Sequence, residues 1–403
     1  MTLPRQSIRV LYSFPNKLGA SRICYTAWEQ VRGIVAAGAQ VILYTGALVR
    51  EVPESVEVHT TLSRVNIQIP YRLIGNLRAL ALHDWIVSRQ LPKLKDRIDV
   101  VHVWPSGALR TIQAARRLGI PTVLERPNAD TRFALEAVDA ERQRIGVESP
   151  HYDYRPRESN VLLEEAEFGA CDYLLCASDF SVKTFTDRGY PASKIVRHRY
   201  GFDDTKYFPL PEDQKQPRKF TALYVGVDAV RKGLHLALEA WLSSPASKDG
   251  LFRIAGDVQE EFKKKFATYL AHPSVEQLGM RSDIPQLMQN SDILILPTIE
   301  EGFALVCAEA IGAGCVPLAS TACTEMCQHG VNALVHNVGD VETLRGQITQ
   351  VYSDPGFLAQ LRSGAIATRS EWTWRKAGDH LVAAYAQALA AYAERETIAV
   401  ASS

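Results

Sequence analysis

Short apolar runs alternate with helical patterns along almost the whole chain. In the first half, 8–14, 40–45, 99–104, 120–124, 173–177 and 194–200 read as strands. In the second half, 220–225, 252–255, 275–278, 292–297 and 332–336 do the same. Runs this short, bounded by turn residues, suit strands buried on both faces. Between them lie helical patterns at 22–37, 106–118, 159–170, 234–242, 259–270, 284–290 and 303–313, and three more at 341–352, 355–368 and 374–394 close the chain. Strand, loop, helix, strand in repetition predicts an α/β protein with parallel sheets. Pro209, Pro211 and Pro217, with the polar run E-D-Q-K-Q between them, mark a linker. The expected organisation is two domains, 1–208 and 209–372, with a final helix at 373–396 returning to the first.

Within that pattern 291–330 stands out. The run 292–297 ends at a proline, and Glu300, Glu301 and Gly302 follow in a loop. Gly302 is expected to permit a tight turn into a helix over 303–313, with Gly314 as its cap. That helix is apolar nearly all round and carries one charge, Glu309. A lone buried carboxylate is costly unless something hydrogen-bonds it. Glu309 therefore needs hydroxyl donors or a cation, and an ordinary ion pair with Lys or Arg is the structural alternative. Further back, Arg231 and Lys232 sit side by side where a strand gives way to a helix. Two cations at a helix start are unfavourable for the helix itself, and they suit a bound diphosphate.

The motif E-G-F-A-L-V-C-A-E-A, with Glu301 and Glu309 separated by seven residues, Pro297 before it and G-C-V-P after it, resembles the signature of retaining glycosyltransferases of family 4. That family has the GT-B fold, two Rossmann-like parallel-sheet domains facing across a cleft. The resemblance implies an acceptor-side first domain and a nucleotide-sugar-binding second domain. It implies that Arg231 and Lys232 stabilise the leaving diphosphate and that Glu301 approaches the hydroxyls of the donor sugar. Glu309 would accept from the ribose hydroxyls, and Glu325 would also face the donor. Gly226, Gly256, Gly302 and the amides of Phe303, Ala304 and Leu305 would line the phosphates, with Met280 and Arg281 beside the base. Gly19 matches one member of the family's first-loop glycine pair; a plain turn glycine is the alternative. Members often place a histidine near the reacting sugar where this chain has Glu125. The acceptor-side candidates are thus Glu125, Arg126, Asn128 and His102, the last equally readable as a strand-interior histidine.

The totals narrow the field. At 403 residues the chain exceeds one ordinary core. A content of 46% hydrophobic and 22% charged residues describes a globular protein. No apolar run reaches the roughly 18 residues of a membrane span, and the start lacks a secretory pattern. Seven cysteines without framework spacing suit reduced thiols, so a cytoplasmic location is expected. Cys315, Cys323, Cys327 and His329 match no zinc spacing, and no D-x-D lies at a strand end. No metal and no other cofactor is expected. Net charge is zero, yet 1–200 hold 27 Lys and Arg against 21 Asp and Glu. So mild an excess does not imply nucleic acid. The basic stretch 71–97, with Leu77, Leu80, Ala81, Trp85 and Ile86 at helical spacing, suits either packing on the sheet or peripheral contact with an anionic membrane.

The expected activity is transfer of a hexose from a UDP- or GDP-linked donor to an acceptor hydroxyl, in cell-surface polysaccharide or glycoconjugate synthesis. The acceptor could be a glycan, a lipid-linked sugar or a small molecule. The alternatives are a sugar-nucleotide epimerase or hydrolase of the same fold, or a binder that catalyses nothing. A dehydrogenase is disfavoured, since no G-x-G-x-x-G follows the first strand.

Overall fold

The structure, a computed structural model, describes residues 7–64, 67–68, 75–147, 158–211, 214 and 218–401. Two parallel sheets organise the chain. The first contains β1 (Arg9–Leu18), β2 (Gln40–Leu48), β3 (Glu57–Thr60), β6 (Val100–Val103), β7 (Thr122–Arg126), β8 (Tyr173–Cys176) and β9 (Ile195–Arg197). Its order is β3-β2-β1-β6-β7-β8-β9. A small antiparallel pair, β4 (Ser63–Arg64) and β5 (Ile67–Gln68), stands apart from it. The second sheet contains β10 (Thr221–Val225), β11 (Leu251–Ala255), β12 (Val275–Gly279), β13 (Ile293–Leu296), β14 (Val316–Ser320) and β15 (Leu334–His336). Its order is β12-β11-β10-β13-β14-β15.

The central strand β13 shows why these runs are strands. All four of its residues are buried. Ile293 and Ile295 enter the core on one face of the sheet, and Leu294 and Leu296 enter the core on the other. Period-two alternation with both faces covered is what a parallel sheet between helix layers requires. Strand order reverses between β1 and β6 in the first sheet and between β10 and β13 in the second. Loops leaving the carboxyl ends at such a switch point form the ligand crevice of an open α/β sheet. In the second sheet those loops are 226–233 and 297–304.

The last helix, Trp374–Ala401, returns to the first sheet. It packs against the helix Ile23–Ala36 and brings the Tyr385 hydroxyl to within 2.7 Å of His102 Nδ1 in β6. Where it starts, Phe202 and Thr373 form a parallel bridge, so the two chain crossings run side by side.

Several expected boundaries move for local reasons. β1 continues to Leu18 through a register shift between Phe14 and Lys17. The helix expected over 106–118 starts at Leu109, because Ser106 has φ +68°. The helix expected over 303–313 starts at Leu305, and Ala304 before it has φ +57°. Gly314 caps that helix in the left-handed region, as its position suggested. A helix at Thr131–Ile145 was not anticipated at all. Residues 71–74 of the basic stretch, and most of the linker 212–217, lie outside the described residues.

Candidate active site

The carboxyl ends of β10, β11 and β12 are drawn together by their terminal glycines. The Gly226 amide donates to Ala255 O at 3.0 Å, and the Gly256 amide donates to Gly279 O at 2.8 Å. Gly256 has φ +144°, and a Cβ there would lie 1.7 Å from Gly226 O. No other residue fits this close approach. The loop 226–233 folds on Asp228, whose carbonyl accepts from the Lys232 amide at 2.8 Å. Arg231 O then accepts from the Ile299 amide at 2.8 Å and from Thr298 Oγ1 at 3.0 Å. The two switch-point loops are thereby knitted together, and the cations meet the carboxylates. Arg231 pairs with Glu300 through Nε and with Glu301 through a terminal nitrogen at 3.2 Å, while Lys232 Nζ pairs with Glu301.

This cluster balances two cations against two buried carboxylates. Burial alone would raise the Glu301 carboxyl, but Lys232 and Arg231 outweigh it and hold it at about 2. Glu301 is therefore an ionised acceptor throughout the working pH range. Desolvation lowers Arg231, yet Glu301 and Glu300 more than compensate and keep it firmly charged. Glu300, which the sequence presented only as a neighbour, is a full member of the cluster. Its second oxygen is buried without a hydrogen-bond partner, a cost borne at a polar site rather than in the core.

Glu309 lies on the helix Leu305–Ala313 and is half-buried. It lines a pocket of about 200 Å³ with Tyr25, Asp203, Lys206, Tyr207, Leu305 and Trp374. Desolvation pushes its carboxyl up to about 7, against the Tyr207 hydroxyl and nearby Lys206. Hydroxyl donors that need the carboxylate will therefore bind it less well as pH falls through 7. A ligand whose hydroxyls donate to Glu309 is expected to bind more weakly below pH 7 in the native protein and to lose that dependence in Glu309→Gln. Titration calorimetry between pH 5.5 and 8.5 reads this directly. Stability runs the other way. A carboxyl raised on folding contributes fully below its ordinary range, and that contribution is lost as pH rises through 7.

Other expected positions are placed as follows. Phe303 and Ala304 are buried and precede the helix, so they are not its first-turn residues as expected; Leu305 is. Gly302 has no positive φ, so a tight turn is not what it serves. A Cβ there would lie 1.8 Å from Pro127 O of the first sheet, so close approach explains the glycine. Met280 is exposed, and Arg281 pairs with Asp283. Glu325 turns onto the first half of the chain, pairing with Arg197 and accepting from the Asp179 amide at 3.3 Å. Gly19 O accepts from Arg50 Nε at 2.8 Å.

On the first sheet the expected acceptor contacts need correcting. Glu125 and His102 have no solvent exposure. Glu125 accepts from Gln30 Nε2 at 3.0 Å and from the Tyr200 hydroxyl at 2.6 Å, and it faces His198 Nε2 at 2.9 Å and His102 Nε2 at 3.4 Å. Burial opposes its ionisation, but the two imidazoles prevail and hold the carboxyl below the ordinary range. Arg126 is also sealed in, donating to Ala129 O, Thr131 and Glu164. Only Asn128 of the four candidates is exposed. The residues that sequence reasoning missed are those that bridge the two halves. His235 Nε2 and Glu141 Oε1 lie 2.6 Å apart, and the Ser178 hydroxyl donates to Gly302 O at 2.6 Å. Among the described residues, no group of three or more His, Cys, Asp or Glu side chains could hold a metal ion.

Comparison with known proteins gives this geometry a context. The family model "Glycosyl transferases group 1" matches residues 210–368. The chain is 32% identical over 104 residues, 25% of its length and 28% of the relative's, to the lipopolysaccharide glucosyltransferase WaaG of Escherichia coli K12. It is 30% identical over 215 residues, 50% of its length and 57% of the relative's, to a Campylobacter jejuni enzyme. That enzyme is the N,N'-diacetylbacillosaminyl-diphospho-undecaprenol alpha-1,3-N-acetylgalactosaminyltransferase. The aligned regions thus span less than two thirds of these relatives. Among solved structures, the Anabaena protein HepE in complex with UDP superposes with a TM-score of 0.64 at 17% identity, covering 94% of this chain and 100% of that one. The chain has the two-sheet GT-B architecture of glycosyltransferases, and its second half, over residues 210–368, matches glycosyl transferases group 1.

Proposed function

We propose that the protein transfers a hexose from a nucleoside diphosphate sugar to an acceptor hydroxyl with retention of anomeric configuration. The observation that carries this reading is the convergence of Arg231, Lys232 and Glu301 at the switch point of the second sheet. Two fixed cations there meet the charge that develops as the diphosphate leaves. Glu301 accepts from the sugar hydroxyls and orients the ring, and Glu309 accepts from the ribose. The glycosidic C–O bond breaks toward the diphosphate, the acceptor oxygen attacks from the same face, and a departing phosphate oxygen takes its proton. A double displacement would need a carboxylate free to attack the anomeric carbon; Glu125, at the end of β7, is fully engaged internally and does not supply one. UDP-hexoses and GDP-mannose are the donors of first choice, the UDP-linked ones supported by the UDP bound to the HepE structure. A lipid-linked or polysaccharide acceptor in surface-glycan assembly is supported by the two relatives' names.

In this reading Arg231 and Lys232 make a divalent metal unnecessary. Protein in excess EDTA is expected to bind its cognate nucleoside diphosphate by calorimetry and to turn over with an acceptor. Restoration of lost turnover by Mg²⁺ or Mn²⁺ would overturn the metal-free reading. Donor consumed without acceptor would favour an epimerase or hydrolase. Donor bound but never consumed would favour a binder.

A location at the inner face of the membrane is part of the proposal. No described helix is long and apolar enough to cross a membrane. The helix Asn76–Leu94 exposes Leu77, Ala81 and Trp85 beside Arg78, Arg89 and Lys93. Its one acid, Asp84, turns inward to accept from the Arg110 and Thr111 amides at 2.9 and 2.8 Å. An apolar stripe flanked by cations alone suits anionic lipid. The protein is expected to co-sediment with vesicles containing anionic lipid at low salt, and Trp85→Glu to abolish this. Equal binding to neutral vesicles would count against it.

A further inference from the structure

We infer that Ser178 is a positioning residue for the loop that carries Glu301, so that the sugar-facing carboxylate of the second sheet is held in place by the first. The inference rests on the donor-site reading above and names a residue which that reading does not require.

Three strand ends of the first sheet converge on residues 302–303. From the end of β7, Pro127 O and Asn128 Cα press on Gly302 so closely that no Cβ would fit. From the end of β8, the Ser178 hydroxyl donates to Gly302 O at 2.6 Å. From beyond β9, the Tyr200 ring meets Phe303 edge-on at 5.4 Å, while its hydroxyl is tied to Glu125. Ser178 has no solvent exposure, and both its hydrogen-bonding roles are taken. It donates to Gly302 O and accepts from the Ser181 amide at 3.0 Å, capping the helix Asp179–Thr186.

On its other side the same loop is anchored through Glu301 to Arg231 and Lys232. Directly after it, Ala304 holds φ +57°, a conformation an alanine keeps only where its surroundings over-determine it. The loop is therefore stretched between cations of its own sheet and one hydroxyl of the other. Loss of that hydroxyl lets Gly302 O turn away and Glu301 lose its aim, while the phosphate-facing cations stay put.

Ser178→Gly removes the donor and keeps an acceptable helix start; Ser178→Thr keeps both roles. Turnover in Ser178→Gly is expected to fall about tenfold to a hundredfold, with the affinity for bare nucleoside diphosphate within about twofold of native. Ser178→Thr should recover most of the turnover. The gain in affinity from nucleoside diphosphate to nucleoside diphosphate sugar, read by calorimetry, should shrink in Ser178→Gly alone. Hydrogen exchange of the peptide 299–306 should quicken in Ser178→Gly and not in Ser178→Thr. Ser178→Ala serves as a second donor-less variant if Ser178→Gly does not fold. Native turnover and native exchange in a folded donor-less variant would overturn the inference. So would a loss of turnover matched by loss of nucleoside diphosphate affinity. If the native protein binds no nucleoside diphosphate, the functional reading fails, and the exchange measurement alone still decides whether Ser178 holds the loop.

Discussion

Glu301→Gln is expected to lower turnover by about 10²–10³-fold while nucleoside diphosphate affinity stays equal to native or tightens. The asymmetry follows from the cluster's charges. Arg231 and Lys232 face Glu300 and Glu301, two cations against two anions. Glutamine removes one anion and leaves Lys232 without its carboxylate partner. A diphosphate then meets a site with net positive charge, so ground-state binding does not suffer. On the proposed reading the sugar, by contrast, loses a charge-assisted acceptor, and such bonds are about twice as strong as neutral ones. Because Glu301 is held at about 2, its loss should leave the pH profile above pH 4 unchanged in shape. Calorimetry with the nucleoside diphosphate, and initial rates at saturating donor, separate the two effects. An unchanged kcat would remove Glu301 from the sugar, and parallel losses of kcat and affinity would place it at the phosphates.

Much of this site was legible because its signals are local. The apolar run of β13, the loop Glu300-Glu301-Gly302 and the helix with its single Glu309 are contiguous, and Gly314 ends them as its type predicts. Arg231 and Lys232 were legible because two adjacent cations at a helix start are unfavourable for the helix itself, and the structure answers them with Glu300 and Glu301. Nothing local, however, says that Glu125 is enclosed. Its partners Gln30, His102, and the neighbours His198 and Tyr200 come from three separate stretches, and only the sheet order brings them together. The helix Thr131–Ile145 escaped notice for a different reason. Six of its fifteen residues are charged and only Val138 is buried, so its apolar side is too thin to stand out from the surrounding polar sequence. It matters nonetheless, since its Glu141 reaches His235 across the two halves. Gly302 shows the same limit. Its presence was visible and its reason was misread, because the neighbour that excludes a side chain is 175 residues away in sequence.

That neighbour makes Gly302→Ala the sharpest structural test of how the two sheets cooperate. The added methyl would sit 1.8 Å from Pro127 O and 2.7 Å from Asn128 Cα. Both obstacles are backbone at the end of β7, which cannot swing aside as a side chain could. Forced overpacking of this kind costs about 1–3 kcal/mol. The strain can be relieved in two ways, by retracting the loop or by parting the two halves. Either one breaks the Ser178 bond to Gly302 O and loosens the Tyr200 edge on Phe303. Turnover should therefore fall about a hundredfold or more, with a lower unfolding temperature, while Arg231 and Lys232 keep most of the nucleoside diphosphate affinity. Parting of the halves would also separate Glu141 from His235, so small-angle scattering should show a larger radius of gyration if that route is taken. Loop retraction would leave the radius unchanged and speed hydrogen exchange at 299–306. A variant with native turnover, native radius and native exchange would mean that Gly302 tolerates a side chain and that the first sheet does not hold the donor loop.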